Sequence, residues 1–101
     1  MPEFLNPFSG MAPERKMTEA ELTRAIRLNI AAEEEAIHLY QAHADATDNP
    51  LARKVLLGIA DEEREHKGEF QRLLNILRDD EEKLMANGAA EVDEMVEELE
   101  G

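Results

Sequence analysis

Apolar residues recur alternately three and four positions apart over two long stretches of the chain. The first stripe is Ile26, Ile30, Glu33, Ile37, Tyr40, Ala44, and the second is Ala52, Leu56, Ile59, Glu63, His66, Phe70, Leu73, Leu77. That spacing marks one face of a helix packed as in a coiled coil. The first helix opens at Met17-Thr18-Glu19-Ala20-Glu21, where Thr18 and Glu21 have the spacing of a capping box. It continues to about Ala46. Thr47-Asp48-Asn49-Pro50 interrupts the pattern; Asp48 or Asn49 can cap a second helix that carries Pro50 in its first turn. That helix is expected to run to about Arg78. Asp79-Asp80 should end it and cap a short helix reaching Ala86, with Asn87-Gly88 as a stop. Ala89 to Glu100, striped by Val92, Met95, Val96 and Leu99, reads as a further amphipathic helix. The expected fold is all-α: an antiparallel two-helix hairpin, joined by a short loop, plus a short C-terminal helix.

Three positions break the apolar rule of these seams: Glu33, Glu63 and His66. A carboxylate in a packed seam costs several kcal/mol unless something pairs with it. Glu33 lies 15 residues before Asp48 and Glu63 lies 15 after it. At about 1.5 Å per residue both sit roughly 22 Å from the turn, facing each other across the hairpin. His66 follows one turn on. A shared metal ion is the natural partner for all three. A core histidine beside two glutamates rotated outward is the structural alternative.

One hairpin offers a Glu from one helix and Glu-x-x-His from the other, which is half the ligand set of a diiron-carboxylate bundle. A second copy related by a two-fold axis would supply the other half, in a ferritin-like four-helix arrangement. Four carboxylates and two imidazoles suit octahedral Fe, with Mn as an alternative, better than tetrahedral Zn. Tyr40, on the same face as Glu33, either hydrogen-bonds a ligand carboxylate or is a plain core tyrosine. Glu34, Glu35, Glu62, Glu65 and Glu69 fall off the seam and read as solvated. His38 and His43 read as exposed.

Composition narrows the setting. The 101 residues make at most one small domain, with a thin core for a lone monomer. There is no cysteine, hence no disulfide framework and no thiolate metal site. Acidic residues outnumber basic ones 24 to 11, a formal charge of −13. Such a surface repels nucleic acid and anionic membranes and attracts cations. No apolar run approaches the roughly 18 residues of a spanning helix, and no secretion signal is apparent. A cytoplasmic protein is expected. Residues 1–16 hold three of the four prolines and read as an extended arm, with residues 17–101 as the helical domain. Phe4, Leu5 and Phe8 are candidates to dock on a neighbouring surface; a disordered leader or cloning remnant is the alternative.

Taken together, Glu33 and Tyr40, the Asp48-Asn49-Pro50 turn and Asp61-Glu62-Glu63-Arg64-Glu65-His66 resemble the encapsulated ferritin family over roughly residues 18–99. The family's members are ferritin-like proteins held inside encapsulin nanocompartments. The resemblance implies a ferroxidase centre formed only when two subunits meet, and assembly of such dimers into a ring, typically a decamer. It implies Glu33, Glu63 and His66 as iron ligands, with Tyr40 beside them, and the encapsulin shell as partner. Two departures stand out. Members often carry an acid just before the first ligand, in an outer site that admits metal; here that position is Ala32, while Glu35 matches a second acid of that site. The chain also ends Val96-Glu97-Glu98-Leu99-Glu100-Gly101, without a basic-apolar tail that would anchor cargo to a shell. A shortened chain, fusion to a shell protein, or targeting through the N-terminal arm would each fit. The functional expectation is a ferroxidase serving iron storage. The alternatives are a rubrerythrin-like or Mn-dependent peroxidase, and a non-catalytic helical oligomer stapled by metal.

Overall fold

The computed structural model describes residues 15–101, which form three helices: α1 (Glu19–Asp45), α2 (Pro50–Leu77) and α3 (Glu81–Glu100). The expected arm over residues 1–16, with Phe4, Leu5 and Phe8, lies almost wholly outside the described residues. No described helix is long and apolar enough to cross a membrane.

α1 starts where the sequence says it should. The Thr18 hydroxyl accepts from the Glu21 backbone N–H at 3.2 Å, and the Glu21 carboxylate accepts from the Thr18 N–H at 2.9 Å. Two orphan donors of the first turn are thereby satisfied. Arg15 adds a fork of two 2.7 Å hydrogen bonds onto both oxygens of Glu21. This guanidinium, helped by the Thr18 N–H, holds the Glu21 carboxyl down at about 2. The folded value lies below the ordinary 4.5. The carboxylate's contribution is therefore complete above that pH and is lost as pH falls towards about 2. Glu21→Gln keeps an acceptor for Thr18 but loses the charge facing Arg15. In thermal melts followed by circular dichroism it should trail the wild type at pH 7, with the gap closing as pH falls from 4.5 to 2. A gap independent of pH would assign the effect to something other than this carboxylate.

At the turn the structure chooses Asn49 over Asp48 as the cap. The Asn49 side-chain oxygen accepts from the N–H groups of Leu51 and Ala52, both at 3.0 Å, and Pro50 opens α2 without needing a partner. Arg53 reaches back from α2 and donates to the Ala44 carbonyl at 2.9 Å, so the end of α1 is closed by its neighbour. The two long helices pack antiparallel as the expected hairpin. Ile26 and Ala44 of α1 and Ala60 and Leu74 of α2 are its buried apolar residues, with Thr23 buried beside them. The Thr23 hydroxyl donates to the Ala20 carbonyl one turn back at 2.9 Å, which satisfies it without a partner from α2.

The seam on α1 is the expected one, from Ile26 through Glu33 to Ala44, but the seam on α2 is rotated. Ala60 and Leu74 are the buried positions, whereas Ile59 and Leu73 remain 37% and 43% exposed. The apolar surface of α2 is wider than one partner helix can cover. Leu51, Val55, Ile59, Leu73 and Ile76 all stay exposed beside the seam that meets α1.

The C-terminal region differs from expectation. Instead of two short pieces broken at Asn87-Gly88, one helix of 20 residues runs through both. A stop there would need Gly88 in a left-handed conformation. Its backbone stays in the ordinary range, and its Cα faces open space. A lone glycine costs a helix only about 1 kcal/mol relative to alanine. Strong formers surround it: Lys83, Leu84, Met85, Ala86, Ala89, Ala90 and Glu91. Asp80 occupies the N-cap position of α3 but makes no side-chain capping bond; it faces Arg78 at 3.6 Å instead. The start of α3 is tied to the hairpin by Arg27, which forks onto Glu81 at 2.6 and 3.2 Å, and by Gln71, which meets the Met85 sulfur at 3.2 Å. Beyond Met85 the helix is exposed throughout.

Candidate metal centre

α1 turns one seam carboxylate, Glu33, towards α2. α2 answers with Glu63 and His66, whose i, i+3 spacing puts both on one face of the helix. The hairpin brings the three together: one donor atom from each lies within 4.8 Å of the other two. Among the described residues this is the one such group of three histidine or carboxylate side chains. The level match read from the sequence, 15 residues either side of Asp48, is thus realised in space.

The environment of each group is distinct. One oxygen of Glu33 is buried and has no hydrogen-bond partner. Glu63 is mostly covered, its side chain 21% exposed, while His66 is 49% exposed at the outer rim. The Glu63 carboxylate and the His66 Nδ1 are 3.7 Å apart, beyond hydrogen-bond range. The three side chains therefore converge without satisfying one another. A buried carboxylate oxygen left unpaired costs free energy that a cation would recover. Two carboxylates and an imidazole are the donors a hard or borderline divalent ion takes, and the oxygen-rich balance suits Fe or Mn. The residues present therefore fit a metal ion. The set is also one-sided: three donors come from this hairpin, and His66 opens outward beside the uncovered apolar row of α2.

The remaining candidates separate cleanly. Tyr40 is half-buried two turns along α1 from Glu33 and lies outside the three-residue group. Glu62, Glu65 and Glu69 are exposed, as are His38 and His43. Glu35, read from the sequence as solvated, is instead half-buried on α1, as is Ala32, and both lie outside the three-residue group. Sequence reasoning missed one feature at the edge of the site, an ion pair between Lys67 and Glu34 that crosses from α2 to α1. Its only trace in the sequence is the i, i+4 relation of Lys67 to Glu63, which puts the lysine on the side of α2 that meets α1.

Two long antiparallel helices, with a glutamate on one facing Glu-x-x-His on the other, define a ferritin-like helical protein. Comparison with known proteins narrows this. The family model described as Rubrerythrin matches residues 12–99. The chain is 52% identical over 86 residues to the encapsulin nanocompartment cargo protein EncC of Myxococcus xanthus, covering 85% of this chain and 65% of that one. It is 38% identical over 82 residues to a ferritin-like–encapsulin shell fusion protein of Pyrococcus furiosus, covering 81% of this chain and 24% of the fusion. The crystal structure of the encapsulated ferritin domain from Pyrococcus furiosus superposes with a TM-score of 0.81 at 35% identity, covering 92% of this chain and 94% of that one. The chain therefore belongs to the rubrerythrin family of ferritin-like proteins, among the encapsulated ferritins. It spans about two thirds of the first of these relatives and about a quarter of the second.

Proposed function

We propose that this chain is a ferroxidase that takes Fe(II) as substrate at a diiron centre shared between two copies. Glu33, Glu63 and His66 of each copy hold the metal, and residues 17–101 are the working unit. The observation that carries this reading is the convergence of those three donors around a buried Glu33 oxygen that nothing else satisfies. Bound there, iron passes from Fe(II) to Fe(III), giving its electrons to dioxygen.

The chain's own residues account for binding, orientation and access. The fixed register of the hairpin, closed by Asn49 and Arg53 at the turn, keeps Glu33 and Glu63 at one level. Glu63 and His66 come from one rigid helix, so their separation does not depend on a loop. The formal charge of −13 draws divalent cations from solution. The exposed row Val55, Ile59, Leu73 and Ile76 runs along α2 on either side of His66, where a second copy would cover both the apolar surface and the open side of the site. Tyr40 serves as a neighbour of the centre. Such dimers would close into a ring, a decamer, using further apolar surface on α3. The relatives named as encapsulin cargo and as a shell fusion support a place inside an encapsulin shell; that the shell lies in the cytoplasm and stores the oxidised iron is part of the proposal.

Stopped-flow mixing of the protein with Fe(II) and dioxygen tests the reading, and catalytic turnover is the expected result. Turnover with hydrogen peroxide but not with dioxygen would favour a peroxidase. Metal binding without turnover under either oxidant would leave a metal-stapled oligomer.

A further inference from the structure

Lys67 directly follows His66 and stands four residues after Glu63, half-buried on the side of α2 that meets α1. The i, i+4 spacing makes Glu63 its neighbour on the helix. Across the hairpin, Glu33 holds a buried oxygen without a hydrogen-bond partner. An ammonium placed among such carboxylates is expected to pair with the least satisfied one, because an unpaired buried acceptor costs more than an exposed one. Lys67 does otherwise. Its Nζ donates to Glu34 Oε1, a carboxylate whose side chain is 55% exposed and has water as an alternative partner.

We propose that Glu34 is a positioning residue for the metal centre: it holds the Lys67 ammonium aside and so leaves Glu33 and Glu63 open to a divalent cation. This rests on the metal-centre reading above. Glu34 is the chain neighbour of Glu33, so it points about 100° further round α1, away from the seam. The pair therefore forms at the rim of the site. Released from Glu34, the lysine becomes a cation tethered one turn from Glu63, and an intramolecular competitor is present at high effective concentration. The structure thus assigns an exposed glutamate to the protection of two covered ones.

The test is a double-mutant cycle on the full chain, freed of metal, with Mn(II) titrated in by calorimetry. Glu34→Gln should weaken Mn(II) binding by roughly fivefold, near the upper end for a partly exposed ion pair. Lys67→Met in the wild-type background should leave affinity unchanged, because the ammonium is already held aside. In the Glu34→Gln background the same substitution should restore the lost affinity. That dependence on background is the signature, since independent effects of two nearby charges would add. If Lys67→Met tightens binding equally in both backgrounds, the two residues act only through long-range charge and the proposal is overturned. If both single variants weaken binding alike and the double variant is no better, the pair is a structural tie and the proposal is likewise overturned. Failure of wild type itself to bind Mn(II) would bring down the metal-centre reading along with this one. None of these substitutions touches the buried residues Ile26, Ala44, Ala60 or Leu74, so folding should be retained in every arm.

Discussion

Glu63→Ala and His66→Ala are each expected to lower the proposed Fe(II) oxidation by at least about a hundredfold, whereas Glu62→Ala and Glu65→Ala should retain most of it. The contrast follows from helical geometry. Glu62 and Glu65 are exposed, while Glu63 converges with His66 and Glu33 to within 4.8 Å. Even residues that merely support metal ligands are worth roughly ten- to a hundredfold in affinity or activity, so removing a ligand should cost more. One helical residue turns a side chain by about 100°. Neighbours in sequence are therefore far apart in role. Initial rates in the oxygen assay at matched protein concentration give the answer. Comparable losses at Glu62 and Glu63 would mean that the wrong face of α2 has been assigned to the site.

Metal-free Glu33→Gln and Glu63→Gln should associate at least as tightly as metal-free wild type at neutral pH, while losing ferroxidase activity. In a dimer that shares the centre, four carboxylates crowd one axis, and one Glu33 oxygen in each copy is already buried and unpartnered. Like charges in a poorly solvated place repel and oppose the association that brings them together. A neutral amide of the same shape removes the repulsion without opening a cavity. Function and assembly then pull in opposite directions at these two positions, as for a site whose chemistry is set against the stability of its surroundings. Sedimentation velocity on chelator-treated proteins at matched concentration measures this. Gln variants that dissociate while metal-free wild type stays together would make these glutamates structural hydrogen-bonding residues.

The hairpin was legible in the sequence because local signals and periodicity agreed. The Thr18–Glu21 capping box, the Asn49-Pro50 start of α2 and the three-four stripe from Ile26 to Ala44 all appear where the pattern puts them. So does the meeting of Glu33 with Glu63 and His66, because an antiparallel hairpin converts equal sequence distance from the turn into equal height. The face of α2 was less legible. Ala60 and Leu74 carry the burial, and Ile59 and Leu73 lie outside it, because the apolar arc of α2 serves more than one direction and periodicity does not say which part meets α1. Gly88 misled for a related reason. A glycine ends a helix only when the chain beyond it has no cause to continue, and the run from Ala89 to Glu91 is strongly helical. The Lys67–Glu34 pair was invisible, since a long side chain chooses among several carboxylates by their three-dimensional arrangement. α3, with Leu84, Val92, Met95 and Val96 exposed, has an amphipathic pattern that the isolated chain leaves without a counterpart.

Native mass spectrometry combined with metal analysis on one iron-loaded sample tests the shared centre most directly. If each chain supplies half a ligand set, as proposed, iron should appear at about one ion per chain and only in dimers or larger even-numbered species. Adding Fe(II) should also draw monomers into those species, because an ion that binds only the associated state stabilises it by mass action. A stable monomer that carries two iron ions, with an oligomer distribution indifferent to Fe(II), would contradict the account.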